Sequence, residues 1–125
     1  MAVKSFKELI VWQKAIDFVE EVYKLTRKLP KDELYGLTNQ IRRALVSIPS
    51  NIAEGNSRHT SQDYIRFLAI AKGSKSEVDT QLEICIRLGY LSVEEIEYAS
   101  ELSTEIGKML NRIIQKLTPD RKSVV

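Results

Sequence analysis

The most constraining feature of this sequence is a helical repeat of apolar residues that is rarely interrupted. Only five glycines and three prolines occur in 125 residues, and several of them, such as Pro30, Gly89 and Pro119, fall where long helices would have to end. The repeat leaves no obvious room for strands. It predicts an all-α chain with four helices, at about residues 9–29, 32–56, 61–88 and 93–117.

The connections between the four predicted helices are short. Short connections favour antiparallel neighbours, so we expect an up-down-up-down antiparallel four-helix bundle that spans residues 1–125 as a single domain. With 43% apolar residues, a chain of this length can bury one core of ordinary size. Thr60 or Ser61 is the expected N-cap of the third helix, Gly89 its stop, and Ser92 with Glu95 a capping box before the fourth.

The second predicted helix contains a proline, Pro49, in the middle of its apolar repeat. The apolar positions keep one helical phase on both sides of it: Leu34, Leu37, Ile41, Leu45, Ile48 and Ile52. A loop would lose this phase, so we expect a continuous helix that is kinked, because proline removes a backbone donor and crowds the preceding turn. The alternative, a new helix that begins at Pro49, would use Ile48 as an N-cap, and isoleucine caps poorly.

The same helix carries a polar stripe with residues three or four apart. Its members are Gln40, Arg43, Ser47, Asn51, Glu54 and Arg58. Such a stripe is typical of a solvated face, and Ser47 and Asn51 could satisfy backbone groups that Pro49 disturbs. It could also be a polar network between helices or subunits, or supply pairs such as Arg43 with Ser47 for a partner.

The apolar arcs of the first and third predicted helices are wider than one core-facing stripe. We expect Trp12, Ile16 and Val19 of the first helix to face the core of the bundle. Residues that flank the expected core faces are candidates for an interface of a homo-oligomer: Val11, Phe18, Leu25, Ile70, Ile84 and Leu88. Apolar surface of this breadth calls for a second partner. The alternative is that these helices tilt deeply into their own core.

The composition argues against several classes of function. The formal net charge is only +2, which does not by itself indicate a nucleic-acid-binding protein. The single histidine, His59, has no partner base or metal-ligand spacing, and the single cysteine, Cys85, excludes an intrachain disulfide. We therefore expect no catalytic, cofactor or metal site. No apolar stretch approaches the ~20 residues of a membrane span, so we expect a cytoplasmic protein without a membrane partner.

Three ordered segments carry a resemblance to a known family: FKELIVWQKA, LPKDELYGLTNQIRRALVSIPSNIAEG and FLAIAKGSKSEV. Together they resemble the S23-like proteins, also called 23S rRNA intervening-sequence proteins, over about residues 5–91. The resemblance implies a four-helix bundle that assembles into a ring, usually a pentamer. Related members are accessory proteins of diversity-generating retroelements. Lys75 departs from the family pattern, where an apolar residue is expected, and the nearly neutral net charge departs from the strongly basic accessory proteins of the retroelements.

The resemblance leaves two non-enzymatic functions open. One is an oligomeric adaptor that associates with RNA or with a reverse-transcriptase-type protein. Its candidate phosphate contacts are Arg42, Arg43, Arg58, Arg66, Lys72 and Lys75. The other is a structural protein–protein interaction module that binds no nucleic acid and uses its charges for solubility.

Overall fold

The computed structural model describes residues 5–119, and four α-helices account for most of them. They are α1 (Ile10–Thr26), α2 (Leu37–Asn56), α3 (Ser61–Arg87) and α4 (Glu97–Leu117). Single 3₁₀ turns occur at Phe6–Glu8 and Lys31–Glu33. No strand occurs in the described range, so the expectation of an all-α four-helix bundle is confirmed.

The helices contact one another in cyclic order, α1 with α2, α2 with α3, α3 with α4 and α4 with α1. α2 and α3 make the most extensive contact. Across it, Ser47 bonds Ser74, and Gly55 lies against Tyr64, so rising residue numbers in one helix meet falling numbers in the next. α2 and α3 therefore run antiparallel and share the most extensive contact between helices in the bundle.

The core takes one face from each helix, and on α1 that face differs from the expected one. Val11, Phe18 and Leu25 are 3%, 0% and 4% exposed within the single chain. Their assignment to an interface between chains is therefore wrong. The physical reason is that α1 is apolar on two adjacent faces: Trp12 and Val19, expected in the core, lie at its half-buried edge instead.

Two helices begin later than the sequence pattern predicts. α2 starts at Leu37 rather than near residue 32, because Lys31–Glu33 form a 3₁₀ turn and a Glu33 carboxylate oxygen accepts from the Leu37 backbone amide at 3.3 Å. α4 starts at Glu97 rather than near residue 93. The predicted capping box forms, with the Ser92 amide donating to Glu95 at 2.9 Å and the Glu95 amide to the Ser92 hydroxyl at 3.1 Å, but it closes a turn that precedes α4.

The ends of α3 form as expected. The Thr60 hydroxyl accepts from the Asp63 backbone amide at 3.1 Å and caps the N-terminus. Gly89 adopts φ +79° after the C-terminus, and the Tyr90 amide donates back to the Cys85 carbonyl at 2.9 Å. A side chain at position 89 would strain this left-handed turn, which explains why a glycine stands there.

Pro49 lies inside α2, which is continuous from Leu37 to Asn56. The prediction of a helix that runs through the proline is confirmed. Close to it, the Asn51 side-chain amide donates to the Ser47 carbonyl at 2.8 Å and to the Ser47 hydroxyl at 2.9 Å. The Asn51 side chain thereby bonds two acceptors in the turn next to Pro49, which has no backbone N–H of its own to donate.

Candidate interaction surfaces

An apolar groove runs between α1 and α2. It has a volume of about 350 Å³. Its walls are formed by Phe6, Trp12, Ile16, Val19, Val46, Pro49, Ser50 and Ala53. Phe6 packs edge-on against Trp12, with ring centroids 5.2 Å apart. The edge of α1 that is excluded from the core therefore forms one wall of an open, largely apolar surface.

A second apolar surface lies on α3. Ile70, Ile84 and Leu88 are 42%, 41% and 55% exposed, and their spacing of fourteen and four residues places them on one side of the helix. Ile84 and Leu88 are neighbours one turn apart, whereas Ile70 lies about 21 Å away along the axis, beyond the exposed Glu77. We call this row the α3 ridge. The structure leaves these three predicted interface residues accessible, so their role in an oligomer stays a prediction.

A polar seam joins α2 to α3 at the middle of the predicted stripe. The hydroxyls of Ser47 and Ser74 are 2.8 Å apart, and Asn51 bonds Ser47. Gln40 and Arg43 at one end of the stripe are exposed. At the other end, Arg58 donates to the Glu54 carboxylate at 2.7 Å on the surface. The centre of the stripe is thus a contact between helices, while its ends face solvent.

Two of the six predicted phosphate contacts, Arg42 and Lys75, instead bond to residues of the bundle. The Arg42 guanidinium lies 4.8 Å from the Tyr23 ring centroid and donates to the Thr26 hydroxyl at 3.0 Å. The Lys75 side chain is only 14% exposed and lies 2.8 Å from an Asp79 carboxylate oxygen. Both cations are partly buried as well as partnered within the fold, so they are poorly placed to bind an external phosphate.

Lys75 belongs to a polar cluster between α3 and α4. The Ser103 hydroxyl donates to the second Asp79 oxygen at 2.6 Å. The absence of a side chain at Gly107 makes room for the Lys75 stem, because a Cβ at that position would lie 2.9 Å from Lys75 Cε. A lysine thus replaces the expected apolar residue by crossing to α4 with its charge neutralised. The spacing of Lys75 and Asp79 predicts an ion pair on a helix, but nothing in the sequence indicates the bond from Ser103.

The other four predicted cations are on the surface. Arg43 and Lys72 are exposed and form no ion pair with residues 5–119. The Arg58 and Arg66 guanidinium carbons lie 4.7 Å and 4.5 Å from the centroid of the Phe67 ring. Packing on this ring restrains two flexible side chains, although each also lies near a carboxylate, Arg58 at 2.7 Å from Glu54 and Arg66 at 3.9 Å from Asp63. The end of α2 and the first turns of α3 therefore present two positioned, exposed guanidinium groups.

The cysteine and the histidine of the described range, Cys85 and His59, lie towards opposite ends of α3. Burial raises the pKa of the Cys85 thiol to about 11, with a smaller contribution from the nearby Glu33 carboxylate, so the reactive thiolate is scarce at neutral pH. A hydrogen bond of 2.8 Å to Glu33 raises the pKa of the Tyr90 hydroxyl. His59 lies exposed beside Arg58. No group of three His, Cys, Asp or Glu residues between residues 5 and 119 could hold a metal ion.

No helix in the described part of the chain is both long enough and apolar enough to cross a bilayer.

Comparison with known proteins assigns the family. Residues 7–112 match the family described as 23S rRNA-intervening sequence protein. The chain belongs to this family. The match includes all of α1, α2 and α3, and it therefore contains the α3 ridge, the polar seam and every residue of the apolar groove except Phe6. None of the curated proteins matches the chain significantly.

A solved structure from the same family shares the fold. It is a protein of unknown function of the S23 ribosomal protein family from Bacteroides thetaiotaomicron VPI-5482. It is 32% identical to this intervening-sequence protein, with a TM-score of 0.77, and the alignment covers 84% of this chain and 98% of that one. The resemblance stated from the sequence is thus confirmed at the level of family and fold.

Proposed function

We propose that this protein is a non-enzymatic subunit of a homo-oligomeric ring, built as an up-down-up-down bundle whose second helix is kinked at Pro49. The observation that carries the proposal is the presence of two separate exposed apolar surfaces, the groove between α1 and α2 and the α3 ridge. Exposed apolar surfaces of this kind mark interaction sites. A ring needs two different, complementary surfaces on each subunit, and a concave groove and a convex ridge meet that requirement.

Pro49 supports this assembly through its position. It forms part of the groove wall together with Val46 and Ala53. Proline in a helix interior bends the axis at the preceding turn, so a kink here would set the width of the groove. The resemblance implies five subunits in the ring.

A pair of single variants tests the ring. Val46→Asp places a charge in the groove, and Ile84→Asp places one on the ridge; both positions are already exposed in the single chain, so the fold is expected to survive. At ~500 mM salt, where contacts between charged faces are screened, each variant alone should be monomeric, because each lacks one of the two surfaces. An equimolar mixture should form dimers and nothing larger, because one intact groove then meets one intact ridge. Light scattering that shows unchanged assemblies for both variants would reject these surfaces.

An RNA-associated adaptor is a second candidate, favoured by one observation. Arg58 and Arg66 are held over Phe67, and Lys72 lies one to two turns further along α3 on the surface. Positioned cations of this kind suit contacts to phosphate. A reverse-transcriptase-type protein is the further partner that the family resemblance implies for such an adaptor.

Titration with a structured RNA distinguishes the adaptor from an interaction module that binds no nucleic acid. Fluorescence anisotropy at ~50 mM and ~200 mM salt should show an affinity that falls steeply with salt. Arg58→Glu with Arg66→Glu should abolish binding, whereas Arg27→Glu with Lys31→Glu, at the opposite end of the bundle, should retain most of it. Negligible affinity at ~50 mM salt, or affinity that does not depend on salt, would leave the interaction module as the function.

A further inference from the structure

The outward face of α4 carries six charged residues in an antisymmetric order. Three acidic residues are followed by three basic ones: Glu97, Glu101, Glu105, Lys108, Arg112 and Lys116. At 3.6 residues per turn they fall within an arc of about 100°. All except Glu105 are exposed. Every acidic residue has a basic counterpart at the same distance from the midpoint of the set, which lies between Ile106 and Gly107.

The helix alone does not explain this order. The helix dipole favours acids in the first turn and bases in the last turn, whereas Glu101, Glu105 and Lys108 lie further inside α4. Like charges four residues apart destabilise an isolated helix, and each half of the stripe repeats that spacing. Only Glu105 has an ion pair within the described chain, with Lys14 at 3.1 Å. An unpartnered helix would be more stable with the two signs interspersed.

We propose that this face of α4 docks antiparallel on the same face of a second copy of the chain, about a two-fold axis near Gly107. Antiparallel docking sets Glu97 against the partner's Lys116, Glu101 against the partner's Arg112, and Glu105 against the partner's Lys108. The two-fold axis repeats each pair, so the self-complementary face offers an opposite charge to all twelve, with Glu105 shared between the partner's Lys108 and its own Lys14. A parallel arrangement would set like charges against each other, which gives the docking its direction.

A small apolar hollow beside the stripe adds area to the contact. It lies between α1 and α4, has a volume of about 260 Å³ and includes Ile10, Met109 and Ile113 in its lining. Ile10 is among the most exposed large apolar residues between residues 5 and 119. Exposed ion pairs are individually weak and are screened by salt, so we expect a reversible contact that disappears at high salt. This face shares no residue with the groove or the ridge and does not depend on the ring.

Zero-length cross-linking of carboxylates to amines with a carbodiimide tests the docking on the unaltered protein. Glu97 and Lys116 are nineteen residues apart in one straight helix, about 28 Å, so a cross-link between them must join two copies. The in-chain pairs of Lys14 with Glu105 at 3.1 Å and Lys28 with Glu95 at 2.7 Å are internal controls. We expect the Glu97–Lys116 peptide at ~50 mM salt and its loss at ~500 mM, where screening is strong. In-chain cross-links without it would overturn the proposal.

Charge variants provide an independent test by sedimentation velocity. K108E/R112E/K116E makes the stripe wholly acidic, and E97K/E101K/E105K makes it wholly basic. At ~50 mM salt, where screening is weak, each alone should have half the mass of the wild-type assembly. An equimolar mixture should restore the full mass, because acidic and basic faces then meet. The matched control K24E/R27E/K31E changes the net charge equally on exposed residues outside the stripe and should retain the wild-type mass.

The outcomes separate self-docking from other uses of the stripe. Circular dichroism checks that the triple variants are helical, and if either unfolds, the cross-linking result on the wild-type protein decides. Unchanged mass in the acidic variant, or no gain of mass on mixing, would overturn self-docking. If the acidic variant instead lost only RNA binding at unchanged mass, the basic half of α4 would be a polyanion contact, and the proposal would be wrong.

Discussion

Alanine replacements at two glycines are the same chemical change, yet the structure predicts opposite effects on stability. A Cβ at Gly55 would lie 2.9 Å from Tyr64 Cδ1 and 3.0 Å from Phe67 Cβ. Carbon atoms in favourable contact are about 3.5 to 4.0 Å apart. A Cβ at Gly73 would meet no atom within 4 Å. Gly55 is therefore a point of close approach between α2 and α3, and Gly73 is an open position in the middle of α3.

The magnitudes follow from two opposing contributions. In a helix interior, alanine is more favourable than glycine by about 0.5 to 1 kcal/mol, and Gly73→Ala should gain this amount in full. Gly55 is the penultimate residue of α2, so its gain is smaller. Against it stands overpacking, which costs about 1 to 3 kcal/mol, because Phe67 Cβ is attached to the α3 backbone and cannot rotate away. We expect Gly55→Ala to lose about 1 to 2 kcal/mol net.

Urea unfolding, followed by circular dichroism, measures both variants directly. Protein concentration must be the same in every sample, because association of subunits contributes to apparent stability. The slope of the free energy of unfolding against urea should be unchanged, so that the difference appears in the midpoint. The close approach would be refuted if Gly55→Ala were as stable as the wild type, or if the two variants had equal midpoints.

Three further predictions follow from the buried contacts. Phe18→Ala should cost about 3 to 5 kcal/mol of the free energy of unfolding in urea, while the folded fraction keeps its assembly mass in light scattering; a change of mass at full stability would return Phe18 to an interface. Ser74→Ala leaves the Ser47 hydroxyl with one partner fewer and should cost about 1 kcal/mol, whereas the exposed Ser76→Ala should stay within about 0.5 kcal/mol. Because the pKa of Cys85 is raised to about 11 from a usual 9.0, alkylation at pH 8 should be slower than in the urea-unfolded chain by on the order of 100-fold. Equal rates in the two states would contradict its burial.

Local chemistry made several features of the fold predictable. A cap, a left-handed glycine and a capping box act within a few residues, so Thr60, Gly89 and Ser92 could be assigned from their neighbours alone. The passage of α2 through Pro49 was predictable for a related reason. Ile48 and Ile52 keep the helical phase of the apolar repeat, which predicts that the core continues on both sides of the proline, and both side chains are fully buried.

Contacts between helices were less predictable because residue spacing does not encode them. The stem of Lys75 can cross to α4 only because Gly107 has no side chain, and the bond from Ser103 to Asp79 joins residues twenty-four apart in sequence. From the sequence, Lys75 is expected to be an exposed cation. In the structure its side chain crosses from α3 to α4 and its charge is paired with Asp79. The same holds for Arg42, whose partners Tyr23 and Thr26 lie on α1.

The two apolar faces of α1 show how far the sequence pattern can predict which residues enter the core. Trp12 and Phe18 are both large aromatic side chains, so the width of the arc predicts that α1 needs two apolar neighbours but not which face meets which. Shape decides between them. Small Ala15 sits between Val11 and Phe18, all fully or almost fully buried, and allows α1 to approach the bundle closely, whereas a core centred on Trp12 would hold it further away. The face left over is the Trp12 side, which now forms the groove with Pro49. The arc therefore predicts correctly that α1 has apolar surface to spare, and a partner chain that covers it would meet Trp12 rather than Phe18.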